Sequence, residues 1–236
     1  RQRSPQSAIR EIQLDMEKYS FRFVTFDDDT MSLNKSWFYE FFSLYMQHIP
    51  YPFRCNLRVG TVDEDMIRLL KDAGVNNVAI GIEHGNERFR KEVLKRNMSN
   101  RDIVELFRLC ARYGVKTEEF IMVGFPYETK QLFLDTVKLC RAVSAKGGTV
   151  IFHPYPKTEL GELCAQNGWL PEKDHFRERE EAVISYPAFS KEDIQMCNDV
   201  SWFLIRYKFI PLCVPLKWPL YLYKSLRKIK RTLPGF

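Results

Sequence analysis

Apolar residues recur every three or four positions in some stretches of this chain, crowd into short continuous runs in others, and the two patterns take turns. SPQSAIREIQLDMEKYS opens like a helix, with Ser4 as N-cap, Pro5 in the first turn and Ile9, Ile12 and Met16 along one face. The run FRFVTF that follows reads as a strand. NKSWFYEFFSLYMQHI is a second helix, and FRCNLR a second strand ending at Arg58. TVDEDMIRLLKDAG has the spacing of a capping box, Thr61 with Glu64, and stops at Gly74. NNVAIGI is the next strand, closing on Glu83. SNRDIVELFRLCARYG repeats the box with Ser99 and Asp102 and ends at Gly114, before the strand TEEFIMVGFP, the helix TKQLFLDTVKLCRAVSAKGG and the strand TVIFHPYP.

Strand and helix thus alternate up to about residue 170, which predicts parallel strands joined by crossover helices, in an open doubly wound sheet or a (β/α) barrel. The polar residues favour the barrel. Nearly every strand ends on something chemical: Asp27, Asp28 and Asp29, then Arg58, Glu83, the Gly124-Phe125-Pro126 run, and His153. Groups gathered from many consecutive strand ends describe the top of a barrel better than a single crevice at a switch point. The absence of GxGxxG after the first strand lowers the dinucleotide reading further.

Composition narrows the setting. At 236 residues and 45% hydrophobic content, the chain can bury a sizeable core. The six cysteines, Cys55, Cys110, Cys140, Cys164, Cys197 and Cys213, are scattered with no CxxC pair, so we expect buried free thiols in a reducing, cytoplasmic interior. The four histidines, His48, His84, His153 and His175, show no HxxxH or HExxH spacing, and no zinc site is expected. The net charge of +6 sits in the tail: Ser201 to Phe236 holds eight Lys or Arg and no acid, leaving 28 basic against 30 acidic residues elsewhere. Without a basic face on the body, nucleic acid is an unlikely partner.

The order RSPQSAIREI, FDDDTMS, CNLRVGTVDEDMIRLLKDAGVNNVAIGIEHGNE, FIMVGFPYET and HPYPKTELGE resembles the radical SAM superfamily, most closely its branch associated with a cobalamin-binding domain. The resemblance covers about residues 1–165. It implies a partial (β/α) barrel that binds S-adenosylmethionine and a [4Fe-4S] cluster, with cobalamin as a possible further cofactor and methyl transfer or cyclisation as the reaction; a hydrophobic small-molecule substrate is suggested by the C-terminal tail alone. The family's CxxxCxxC loop lies upstream of its RSP segment. We therefore expect the first strand and all three cluster ligands to be missing from this stretch, since no remaining cysteines have the spacing to substitute. The alternative expectation is a catalytically silent barrel serving ligand binding or protein interaction.

What the resemblance implies for single residues has a plainer alternative in each case. Asp28 and Asp29 match a family pair that receives the ligand's ammonium; they would otherwise cap the next turn or face water. Met31 stands where an aromatic is more usual. Arg58 matches a strand-end arginine that could hold the ligand carboxylate, or it pairs with the aspartates one strand away. Glu83, in GIEHG, matches a glutamate that could accept from ribose hydroxyls or order the pocket, or it is a surface carboxylate; His84 stands in place of the usual serine. Lys95 and Arg96 fall where the family commonly places a cation, or are surface charges. Gly124 and Pro126 would turn the backbone beside adenine, with Glu128 and Thr129 starting the next helix; a tight turn alone would explain all four. In the last motif Lys157 replaces a glycine, and His153 is read as a substrate contact or a structural histidine.

Beyond the barrel we expect a helical extension, residues 166–200, and a basic aromatic tail, residues 201–236. SKEDIQMCNDVSWFLIRYKF would be a helix against the barrel. The tail, broken by Pro211, Pro215 and Pro219, suits an interfacial segment on anionic lipid, giving a membrane-peripheral location and a lipid-like substrate, or else packs on the barrel or a partner.

Overall fold

The computed structural model describes residues 3–170, 179–213 and 215–222; part of the tail, residues 223–236, lies outside them. Five strands, β1 (Val24–Thr25), β2 (Phe53–Leu57), β3 (Val75–Glu83), β4 (Lys116–Val123) and β5 (Val150–Ile151), lie side by side in chain order. β1 pairs with β2, β2 with β3 and β4 with β5 in parallel, Val24 opposite Phe53, Cys55 opposite Val78 and Met122 opposite Val150. A doubly wound sheet reverses direction at a switch point, whereas here the order never turns back. The chain is singly wound, as the polar strand ends predict. By contact it divides into two compact units, Arg1–Gly81 with Met98–Glu119, and Ile82–Asn97 with Phe120–Phe236.

The first unit is built on aromatic packing. Helix α1 (Pro5–Lys18) starts as expected, Ser4 Oγ accepting from Ser7 N–H at 3.2 Å. Helix α2 (Lys35–His48) buries Phe38, Phe41, Phe42 and Tyr45, the spacing of one helical face. Phe42 stacks on Phe53 of β2 at 5.0 Å, and Phe26, just past β1, meets Phe41, Tyr45 and Phe53 at 5.4, 5.9 and 5.6 Å. Edge-on ring contacts of this kind add to the area buried. Only Val24 and Thr25 of FRFVTF form regular strand, while Phe26 extends the pairing through a single N–H donated to the Arg54 carbonyl.

Helix α3 (Glu64–Asp72) corrects a sequence expectation. Its N-cap is Asp63, whose carboxylate accepts from Met66 N–H at 3.0 Å, so the Thr61–Glu64 box does not form. Thr61 instead donates to the Arg58 carbonyl, and Glu64 accepts from Arg112 at 2.9 Å and Tyr113 at 2.7 Å. Helix α5 (Asn100–Arg112) does carry the full Ser99–Asp102 box. Gly74 and Gly114 close these helices at φ +86° and +63°.

In the second unit, α6 (Lys130–Ala142) packs on α8 (Lys191–Arg206), the helical extension expected from the sequence. Arg141 of α6 donates to the carbonyls of Leu204, Tyr207 and Ile210 at 2.8, 3.2 and 3.0 Å. A cation at a helix C-terminus satisfies orphan carbonyls and opposes the negative end of the helix dipole. Two short helices went unread in the sequence, α4 (Glu87–Glu92) and α7 (Glu159–Gln166). Cys55, Cys110, Cys140, Cys164 and Cys197 are buried free thiols as expected, but Cys213 is exposed because it lies in the proline-broken segment past α8.

Emptying the aromatic nest should cost what a buried ring costs. Phe42→Ala is expected to lower the unfolding free energy by roughly 3–5 kcal/mol, read as a reduced urea midpoint with little change in slope.

Candidate functional site

Glu83 ends β3 with its side chain 14% exposed and Arg96 Nη2 3.3 Å from its carboxylate. Burial raises its pKa and Arg96 opposes that rise. Its backbone is left-handed, φ +62°, which a β-strand residue adopts only when its surroundings hold it there. The next residue explains the hold. His84 is fully buried, and its Nδ1 accepts from Asn86 N–H at 3.0 Å, so the proton is on Nε2, which donates to Glu128 Oε1 at 3.2 Å. The His84 carbonyl accepts from the buried guanidinium of Arg90.

Glu128 is equally buried, and its second oxygen accepts from the N–H groups of Gly124 and Phe125 at 2.6 and 3.0 Å. Its sequence reading as a helix start is corrected. Thr129 is the N-cap of α6, and Glu128 instead braces the turn before it. Tyr186 closes the network, its hydroxyl within hydrogen-bond reach of the Phe125 and Glu128 carbonyls, 2.8 Å from the former. The turn's glycine is required: Gly124 has φ +90°, and a Cβ there would lie 2.7 Å from Ile194 Cγ2. Gly85 is more tightly constrained, with a Cβ falling 2.2 Å from the Thr136 Cα.

These braces frame a cavity of about 420 Å³, lined by Glu83, Lys95, Arg96, Phe125, Phe152 and His153 among others. Phe125 and Phe152 pack against each other in its wall with ring centroids 5.1 Å apart, an apolar surface beside a carboxylate and two cations. Glu83 and Lys95 are thus brought together, Lys95 also reaching the Glu92 carbonyl at 2.9 Å. Gly124 and Pro126 are buried in the turn and do not line the cavity; Phe125 between them does. His153 stands half-exposed at the rim, 4.9 Å from the Tyr155 ring. Lys157 keeps a glycine-like backbone at φ +65°.

The remaining candidates belong to the first unit. Asp27, Asp28 and Asp29 are exposed, as is Arg58. The expected pairing of Arg58 with the aspartates is replaced by Arg54, 3.8 Å from Asp27, because the parallel register sets Arg54 opposite Thr25, two residues before it. Arg54 also donates to Glu118 at 3.0 Å, and Asn77 donates to the same oxygen at 3.2 Å. Asn56 holds the Asp28 carbonyl at 3.1 Å, and Asp28 borders a cavity of about 360 Å³ whose walls include Phe26, Met31 and Trp37.

The sequence model of the radical SAM superfamily matches residues 1–140, more than half of the chain. The chain belongs to the radical SAM superfamily. It is 24% identical over 169 residues to an uncharacterized methyltransferase of Pyrococcus horikoshii, covering 71% of this chain and 37% of that protein. Its fold matches the radical S-adenosylmethionine methyltransferase TsrM from Kitasatospora setae, solved with cobalamin and a [4Fe-4S] cluster bound, at TM-score 0.58 and 21% identity, over 70% of this chain and 32% of that one. The Elp3 protein of Methanocaldococcus infernus matches at TM-score 0.54 and 13% identity over 95% of this chain and 59% of its own. The fold is therefore a partial radical SAM (β/α) barrel with a helical C-terminal part, spanning about a third of the methyltransferase relatives it matches.

The residues present fit the family's two cofactors differently. Glu83 and the packed Phe125 and Phe152 rings place a hydrogen-bond acceptor beside aromatic surface, a set of groups compatible with a nucleoside. The described cysteines do not fit the cluster: Cys55 lies on β2, Cys110 on α5, Cys140 on α6, Cys164 on α7 and Cys197 on α8, so no single loop presents three thiols. Among the described residues there is also no group of three His, Cys, Asp or Glu side chains that could hold a metal ion.

Two outcomes follow from the buried groups. Glu83 has a folded pKa above its ordinary value, so between 4.5 and that higher value the folded state binds more protons and stability falls as pH rises. Glu83→Gln should flatten that fall in urea titrations at pH 4 and pH 7. Glu128→Ala leaves two buried N–H groups and His84 unpaired and should cost about 2–4 kcal/mol, well beyond the loss from an exposed glutamate such as Glu105.

Proposed function

We propose that this chain is the S-adenosylmethionine-binding core of a methyl-transferring enzyme that also uses cobalamin and acts on a hydrophobic small molecule. The observation that carries the reading is the cavity at Glu83, where a carboxylate, two cations and a wall of two packed rings line one space. Support for methyl transfer comes from the Pyrococcus horikoshii relative, and for cobalamin from the TsrM fold match. S-adenosylmethionine, when bound, supplies either a methyl or a 5′-deoxyadenosyl group.

The chain's own residues bind and orient. Glu83 accepts hydrogen bonds from ribose hydroxyls, and Arg96 favours the charged form that accepts best. Phe125 and Phe152 take the adenine and exclude water; Lys95 offers a charge to the methionine carboxylate. Taken by itself, the first unit carries its own exposed ligand candidates, Asp28 and Asp29 as acceptors for an ammonium group and Arg58 as a two-pronged donor to a carboxylate. Gly124 and Pro126 act through the turn that presents Phe125.

A second reading concerns the segment after α8. Trp202, Tyr207 and Phe209 form a chain of ring contacts at 6.2 and 5.8 Å, and Trp202 and Phe209 are 43% and 78% exposed beside Arg206 and Lys208. Aromatic rings set among cations suit the headgroup region of an anionic bilayer, so the segment would hold the enzyme at a membrane surface where a lipid-like substrate is met. No helix among the described residues is long and apolar enough to cross a membrane.

Equilibrium dialysis with radiolabelled S-adenosylmethionine tests the first reading. Glu83→Ala should weaken binding about tenfold, a loss of about 1.4 kcal/mol, while Glu105→Ala leaves it unchanged. Equal affinity of both variants would sink the assignment of the cavity. For the second reading, flotation with phosphatidylserine vesicles should carry the chain upward at low salt, less so at higher salt, and less again for Trp202→Ala with Phe209→Ala.

A further inference from the structure

A second cavity, of about 280 Å³, adjoins the first and shares Glu83, Met122, His153 and Tyr155 with it. Its other walls are mainly apolar, Phe120, Val150 and Ile151. The reason lies in the alternation of β4. Glu119, Ile121 and Val123 are buried on one face of the strand, which turns Phe120 and Met122 to the other. Phe120 is 43% exposed and Val150 38%, so two large apolar side chains meet solvent at a strand surface where polar residues usually stand. Such a surface gains stability when an apolar body covers it.

Arg179 is the cationic residue that lines this cavity. The Arg179 carbonyl accepts from Ile151 N–H at 3.0 Å, which ties the residue beside β5 with a left-handed backbone, φ +67°. Arg179 is exposed and makes no ion pair among the described residues, whereas Glu83 on the shared wall is already engaged by Arg96. We propose that the second cavity takes the acceptor substrate, and that this substrate is an apolar small molecule carrying one anionic group. Its body lies against Phe120, Met122 and Val150, and its anion meets the fork of Arg179. The identification of the occupant as substrate rests on the first cavity being the S-adenosylmethionine site, because the four shared residues are what bring the two ligands side by side.

The test uses a matched pair of probes, 3-phenylpropionate and 3-phenylpropan-1-ol, titrated into the whole chain by ligand-observed NMR, with S-adenosylmethionine dialysis on the same samples. We expect the carboxylate to bind at least fivefold more tightly than the alcohol. Arg179→Gln should erase that preference while leaving the alcohol and S-adenosylmethionine unaffected, and Phe120→Ala should weaken both probes. Equal binding of the two probes, no binding of either, or a preference that survives Arg179→Gln would each overturn the proposal. Loss of S-adenosylmethionine binding with the carboxylate preference intact would instead overturn the reading of the first cavity and leave an anion-selective apolar site standing.

Discussion

The buried carboxylate of Glu128 is the constraint on which the candidate site depends. It joins the end of β3, through His84, to the turn after β4, through the N–H groups of Gly124 and Phe125. A carboxyl group removed from water is costly unless its oxygens find partners, and here three donors meet them. The geometry this demands sets the rest. His84 must keep its proton on Nε2, the turn must bend at a glycine, and Phe125 must sit where its ring can wall a cavity.

The two units handle polar groups on strands in different ways. In the first, Arg54 and Asn77 both donate to one Glu118 oxygen, and Arg54 also pairs with Asp27 at 3.8 Å, so the charges engage one another across the strands. In the second, Glu83 and Arg179 hold charge at the border of apolar space, with Arg96 engaged by only one of them. The first arrangement is closed and contributes to the fold. The second leaves bonding capacity toward a cavity, which is the condition for recognising a ligand.

Much of this architecture was legible because its causes are local. A serine three residues before an aspartate, followed by an apolar face, specifies the start of α5 without help from distant residues. The same logic misplaced the start of α3, where Thr61 and Asp63 are both good caps and a contact to the Arg58 carbonyl decides between them. Strand ends were legible as chemical positions, and Glu83 and Lys95 do share a cavity. What no local pattern reveals is pairing at a distance. His84 and Glu128 are 44 residues apart, and neither alone looks like more than a substituted serine and a helix start. Arg54 rather than Arg58 reaches the aspartate run because parallel register, not order along the chain, chooses neighbours. Phe125 was passed over because an apolar residue between glycine and proline carries no signal of its own until the turn is built.

The left-handed backbone at Glu83 sets conformational ease and chemistry against each other at a single position. Glycine would adopt φ +62° with little strain and would relieve the buried carboxylate as well, so by both measures it is the better residue for the fold. Glutamate occupies it at the expense of both. Under selection for heat resistance alone the position would drift toward glycine, and the cavity would lose its carboxylate acceptor while the barrel around it grew more robust.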